Sequence, residues 1–178
     1  TEISNMSSVG LLSQGGFIRG VNNLFTDCGE TCGAFTLGGK IVMHLSTFAN
    51  YWSNGSFRQG ASVFVSDWYE SAGGIIQHRP FQSDTEFQNC IVWGNNASLN
   101  DFDELVSNIL DPSVYSNTLF QSCALDVQDL DFPYNLIDSD CTLDQAPPFQ
   151  SEINRNFRLE GNSTIWNGIS SIPPFEAT

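Results

Sequence analysis

The sequence predicts an all-β chain, a right-handed parallel β-helix with one short inserted helix near residues 100–110. Three observations carry that expectation. A short phrase recurs along the chain, its apolar residues fall in brief runs closed by turn formers, and only one stretch shows helical spacing.

The phrase is an aromatic or aliphatic residue, two polar or long residues, then a cysteine or an aliphatic stand-in. It reads Phe25-Thr26-Asp27-Cys28, Val42-Met43-His44-Leu45, Phe87-Gln88-Asn89-Cys90 and Phe120-Gln121-Ser122-Cys123. In two copies, Phe48 or Trp93 stands three residues past the anchor and Asn50 or Asn95 five past it. A chain that repeats a short unit stacks coils, because one coil alone cannot bury its inward face. Equivalent residues of successive coils then lie about 4.8 Å apart. Stacking explains why cysteine returns at the anchor, and it lets asparagines such as Asn50 and Asn95 bond along the ladder.

The strands follow in order. Leu11-Leu12, Phe17-Ile18, Leu24-Phe25, Ala34 to Leu37, Ile41 to Met43, Val63 to Val65, Ile91 to Trp93 and Leu119-Phe120 are apolar runs. Gly, Asn, Ser or Asp bounds nearly all of them, which is strand-and-turn punctuation. A β-sandwich also has many short strands, but its hairpins give no reason for a recurring anchor. Leu99 to Leu110 is the exception. Phe102, Leu105, Val106, Ile109 and Leu110 fall on one helical face, Asn100 or Asp101 can cap it, and Pro112 stops it. The anchors lie 17, 45 and 33 residues apart, so later coils carry insertions, which hold Trp52 to Gln82 and the helix. In a solenoid such insertions usually form the functional surface.

At 178 residues the chain has the length of one domain, 1–178, with 146–178 as a closing segment. With 20 acidic and 6 basic residues its net charge is −14, which disfavours nucleic acid and anionic membranes, since both are bound through lysine and arginine. Five cysteines leave at least one without an intrachain partner. Cys28, Cys90 and Cys123 at the anchor read as core thiols stacked on one another. Cys28 and Cys32 also have the spacing of a local disulfide or of two metal ligands. His44 and His78 stand alone, so no zinc set is complete. No run of eighteen apolar residues crosses a membrane. Thr1-Glu2-Ile3-Ser4 lacks the basic and apolar parts of a signal peptide, so a removed signal or a longer parent chain is expected.

Val21 to Cys28, Phe35 to Gly39, Ser46 to Trp52 and Asn89 to Asn95 resemble the closing coils of right-handed parallel β-helix repeat proteins. These are pectate-lyase-like in fold and found on the surface of Bacteroidota. Ala146-Pro147-Pro148-Phe149, Asn156 to Leu159 and Gly161 to Gly168 are similar to the usual ending of such proteins. Departures occur at Leu45, where a cysteine is familiar, at Ala146-Pro147-Pro148-Phe149 and at Thr164. The resemblance implies a secreted or cell-surface chain on the outer-membrane exterior, starting in mid-solenoid. A protein partner or missing N-terminal coils would then cover Thr1–Gly20, because native chains cover open sheet edges.

The resemblance also brings in polysaccharide lyases, in which calcium-bound carboxylates acidify a sugar carbon and a basic residue removes the proton. Asp126, Asp129 and Asp131, or Asp138, Asp140 and Asp144, are the candidate acids. Asp138-x-Asp140 sets two carboxylates on one face of an extended segment, which suits calcium. Neither cluster has a basic residue close by. Arg58, Arg79, Arg155 and Arg158 are the candidate carboxylate binders, and Arg158 is expected to pair with an acid of a closing coil. Trp68 and Tyr69 are neighbours, so on a strand one must face away from the core, where it can stack on a sugar or meet a partner. Asn5, Asn54, Asn96 and Asn162 begin Asn-x-Ser/Thr sequons, which read as turns in a bacterial setting.

The leading expectation is a module that displays loops, with Trp68, Tyr69 and Arg79 as ligand-binding residues and no catalysis in this segment. The alternatives are a polysaccharide lyase or glycosidase whose groove lies partly upstream of Thr1, and a structural subunit of a larger envelope complex.

Overall fold

The computed structural model describes residues 1–53, 58, 60–95, 103–115, 117–127 and 133–161. Three parallel sheets organise them. Sheet I joins β1 (Glu2–Ser4), β4 (Leu24–Thr26), β7 (Thr47–Asn50), β12 (Ile91–Gly94), β15 (Ala124–Leu125) and β16 (Thr142–Leu143). Sheet II joins β2 (Leu11–Gln14), β5 (Gly33–Thr36), β8 (Val63–Ser66) and β13 (Leu105–Asn108). Sheet III joins β3 (Phe17–Val21), β6 (Lys40–His44), β11 (Glu86–Gln88) and β14 (Phe120–Gln121). Two antiparallel hairpins, β9 (Trp68–Glu70) with β10 (Ile76–His78) and β17 (Phe149–Ser151) with β18 (Asn156–Leu159), stand outside them.

The chain visits sheets I, II and III in the same order on four successive passes, from β1, β2 and β3 to β12, β13 and β14, before β15 and β16 extend sheet I. Glu2, Leu24, Thr47, Ile91, Ala124 and Thr142 form one row across sheet I. Side chains along a row repeat at the strand spacing, so like stacks on like. Phe25 and Phe48 stack with ring centroids 4.8 Å apart, and Phe87 and Phe120 at 4.9 Å. Phe35 meets Phe87 edge-on at 5.2 Å, which ties sheet II to sheet III through the core. All five rings lie in one buried cluster.

The register corrects the phrase on which the coils were counted. Phe87 pairs with Met43 and with Phe120, so Cys90 and Cys123 share a row with Ser46 and not with Leu45. Leu45 stands instead with Asn22, Asn89 and Ser122, all in the left-handed region with φ between 49° and 54°. Asparagine tolerates that conformation, whereas leucine holds it at a cost of about 1 kcal/mol. Cys28 lies at a different corner, since Phe25 pairs with Phe48 in sheet I. The slip is invisible in the sequence because Val42 and Met43 are both apolar, and a shift of one residue swaps the two faces.

The thiol ladder therefore runs through Cys90, Cys123 and Cys141. The Cys90 N–H donates to Cys123 Sγ at 3.4 Å, and the Cys123 N–H to Cys141 Sγ at 3.3 Å. An earlier copy uses a hydroxyl, the Asn23 N–H donating to Ser46 Oγ at 3.3 Å. Burial pushes the Cys123 thiol well above its ordinary value, and the neighbouring Cys123 thiol and then burial do the same for Cys141. All five cysteines are free thiols. Asn50 links passes as expected, its Oδ1 accepting the Cys28 N–H at 3.0 Å and its Nδ2 donating to Glu30 O at 3.3 Å.

The inserted helix is not found. Residues 99–102 lie outside the described set, and Leu105–Asn108 is strand β13, paired with Val63–Ser66. Leu105 and Val63 are both fully buried side by side, so burial in sheet II overrides the local helical spacing. Helical structure among the described residues is confined to 3-10 turns at Pro112–Val114, capped by Asp111, and at Tyr134–Leu136. The Trp52–Gln82 insertion is likewise two excursions, because β8 within it is a strand of sheet II. Among the described residues no helix is long and apolar enough to cross a membrane.

Hairpin β17–β18 packs on the opposite face of sheet I, where Phe149, Phe157 and Tyr51 meet Ala49, Ile91 and Trp93. Polar contacts pin it. The Tyr51 hydroxyl donates to Glu152 Oε1 at 2.8 Å, and Arg155 Nη2 lies 3.1 Å from Asp27 Oδ1. The arginine that finds an acid here is thus Arg155; Arg158 contributes its backbone N–H to Asn156 Oδ1. Burial raises the Asp27 carboxyl above its ordinary value, outweighing the pull of Arg155 and Thr26. Between the ordinary and the raised value the folded chain holds more protons than the unfolded one, so this group's contribution to stability falls as pH rises through that window. Asp27→Asn, which keeps the left-handed turn, should therefore gain on the parent as pH rises from the ordinary carboxyl value through the raised one in denaturant titrations. A difference that stays flat with pH would refute this.

A candidate site on the Trp68–His78 hairpin

Residues 67–81 leave the stack after β8 and return before β11. Ser66 starts the excursion, its Oγ donating to Trp68 O at 2.8 Å. The hairpin turns at Ser71–Gly74, closed by the Gly74 N–H to Ser71 O at 2.9 Å. Gly74 has φ +73°, which explains a glycine at that position. Trp68 pairs with His78, Tyr69 with Gln77 and Glu70 with Ile76.

Side chains alternate, so Trp68 and Tyr69 take opposite faces. Trp68 is half-buried and its Nε1–H donates to Asn108 Oδ1 at 3.1 Å, toward β13. Tyr69 is 48% exposed on the other face, with Gln77. Arg79 stands one residue past β10. Its Nη1 lies 2.8 Å from where a Gly15 Cβ would stand, at the end of β2. Of the three residues picked from the sequence, Trp68 and Tyr69 take opposite faces, and Arg79 lies at the base of the hairpin with its guanidinium beside Gly15. Ile75 and Ile76, at the tip, are 66% and 54% exposed.

What holds this exposed element still is a buried carboxylate. Asp67 is fully buried. Its Oδ1 accepts the Leu110 N–H at 2.9 Å, and its Oδ2 accepts the Tyr115 hydroxyl at 2.9 Å and faces His78 Nε2 at 3.1 Å. The Tyr115 oxygen in turn accepts the Phe81 N–H at 3.0 Å. Burial first, and then the Asp67 carboxylate, push the Tyr115 phenol above its ordinary range, so it remains a donor at any physiological pH. Both oxygens of Asp67 are thus taken by structural donors, and the group ties both ends of the hairpin to the Leu110–Tyr115 segment. Beside it Phe81, Thr85, Tyr115 and Leu119 line a recess of about 80 Å³. Sequence reasoning missed Asp67 and Tyr115, because 48 residues separate the two and nothing local marks either one. Both histidines expected to stand alone have carboxylates, His44 Nε2 lying 2.7 Å from Glu86 Oε1.

The candidate calcium acids are used singly. Asp138 Oδ1 accepts the Asp140 N–H at 3.1 Å and Ser139 Oγ at 3.2 Å, closing a turn ahead of Cys141. Asp144 Oδ1 accepts the Val127 N–H at 3.1 Å, and burial raises its carboxyl above its ordinary value. Among the described residues no three His, Cys, Asp or Glu side chains converge as a metal site, and Asp129 and Asp131 fall outside that set. Comparison of the chain with protein-family models, curated proteins and solved structures finds no match.

Proposed function

We propose that the chain is a right-handed parallel β-helix of pectate-lyase-like type. We infer a secreted or bacterial cell-surface module that displays the Trp68–His78 hairpin for binding, without catalysis in this segment. The strand order supports the first part, since parallel crossovers within one sheet are right-handed in about 98% of cases. The observation that carries the second is a hairpin whose base is locked on a buried Asp67 while Tyr69, Ile75 and Ile76 face solvent. An apolar tip on a fixed base loses little conformational entropy on contact, which suits recognition. The two isoleucines favour a protein partner. Tyr69 beside Gln77 favours a glycan as the second reading, since a ring face and an amide are what a sugar needs.

Immobilised protein probed with bacterial envelope extracts and with a glycan microarray tests both. Tyr69→Ala with Ile75→Ala should weaken whichever binding is seen by about tenfold or more, with an unchanged melting temperature. Binding indifferent to both substitutions would remove the hairpin from the function. Cleavage of an acidic polysaccharide, abolished by chelator, would speak instead for a lyase.

A further inference from the structure

We propose that Cys28 and Cys32 form a redox pair, a dithiol that closes to a disulfide by exchange with a small-molecule disulfide, while Cys90, Cys123 and Cys141 stay thiols. The pair is independent of the hairpin and of its role. Both residues lie at the corner between β4 and β5, four positions apart, and both are fully buried.

The two side chains are directed at one another and share a hydrogen bond between their thiols. Chain from the passes on either side holds the corner in that posture. On one side the Gly29 N–H donates to Met6 O at 2.8 Å and the Glu30 N–H to Ser8 O at 3.0 Å. On the other, Asn50 Oδ1 accepts the Cys28 N–H at 3.0 Å, and the Gly33 N–H donates to Ser62 O at 3.0 Å. Gly10 closes over the pair. A Cβ at that position would stand 2.9 Å from Cys28 Sγ and 2.7 Å from Cys32 O, a crowding that glycine avoids. Two sulfurs held in this way have a high effective concentration, which favours a bond between them over a lasting bond to a small thiol.

The pair also differs from the thiol ladder in which sulfur can ionise. The Cys32 thiol, ahead of the burial that opposes it, holds the Cys28 thiol below its ordinary value, and the Met6 and Gly10 backbones add to the effect. Burial and then Cys28 push Cys32 well up, so Cys28 is the attacking sulfur and Cys32 the one that follows. In the ladder the main chain engages the sulfurs. Cys90 Sγ donates to Met43 O at 3.3 Å and Cys123 Sγ to Phe87 O at 3.3 Å, while Cys123 and Cys141 each accept a backbone N–H. Cys123 and Cys141 are both held above their ordinary value, so neither supplies a thiolate at neutral pH.

The exchange balances in two steps. The Cys28 thiolate attacks one sulfur of the small disulfide, whose S–S bond breaks and releases one thiolate. The Cys32 thiol gives its proton to that thiolate and attacks Cys28 Sγ, expelling the second, which takes up the proton that Cys28 lost. Two protein thiols lose two electrons, and one small disulfide becomes two thiols. Neither protein sulfur has exposed surface, so the bond forms as the chain folds and is then sealed inside.

Refolding from denaturant in a glutathione redox buffer, followed by alkylation in denaturant and digestion with trypsin, tests the pairing. Cleavage after Arg19 and Lys40 puts Cys28 and Cys32 on peptide 20–40, whereas Cys90, Cys123 and Cys141 share peptide 59–155, because Pro80 blocks cleavage at Arg79. Peptide 20–40 should emerge unalkylated and about 2 Da light, with every cysteine of 59–155 alkylated. The oxidised chain should melt about 3 °C or more above the reduced one. Reductant should open the bond about tenfold or more slowly in the native chain than in denaturant. Alkylation of both cysteines of 20–40 after the oxidising refold overturns the proposal, and so does a bridge within 59–155 or between the two peptides.

Discussion

Replacing Arg58 with methionine is expected to cost about 3–5 kcal/mol of folding stability, because it strands a buried carboxylate. Arg58 and Glu104 have no exposed side-chain surface, and two guanidinium nitrogens reach the two carboxylate oxygens at 2.7 and 2.5 Å. After the substitution Glu104 loses both charged donors while keeping the Ser62 N–H at 3.0 Å and Ser62 Oγ at 2.7 Å. Its Oε1 lies 2.3 Å from where a Gly94 Cβ would stand, so the carboxylate takes the space that a side chain at 94 would need. Arg58→Met with Glu104→Leu should recover most of the loss, because well-packed apolar replacements of a buried pair are often neutral. Urea unfolding of the parent, the single and the double variant measures this. A single-variant loss below about 1 kcal/mol, the range of a surface pair, would refute it.

Phe87→Ala is expected to cost a similar amount, about 3–5 kcal/mol, by a different route. Phe87 is fully buried, stacked on Phe120 and edge-on to Phe35, so its removal opens a cavity between passes. Stability in a stacked chain is carried by contacts between neighbouring units, so a void in mid-stack weakens coupling across it. Phe87→Leu fills most of that volume and should cost about 1.5 kcal/mol or less. If both variants unfold alike, the ring stack is not what the core depends on.

Strand content was legible because apolar runs here are short and closed by Asn, Ser, Asp and Gly, and parallel stacking was legible from the recurrence of the phrase. Its register was not. At Val42-Met43 either residue can be read as the inward one, and only pairing with Phe87 decides. Residues 105–108 failed for a related reason: Leu-Val-Ser-Asn fits both periods, and the partner strand Val63–Ser66 of an earlier pass chose between them. Of the candidate site, the opposite facing of Trp68 and Tyr69 followed from their adjacency alone. Asp67 and its donors were out of reach, because Leu110 and Tyr115 arrive from a later pass.

The row that runs from Glu2 to Thr142 also makes the molecule a kind of ruler. Each pass adds one strand spacing, about 4.8 Å, to the length of the stack. An excursion such as the Trp68–His78 hairpin leaves from one pass and is fixed at that height. Gain or loss of a whole pass would thus move it along the axis in discrete steps, leaving its own packing untouched. Distance from either end is a property this architecture can change in units without redesigning the part that makes contact.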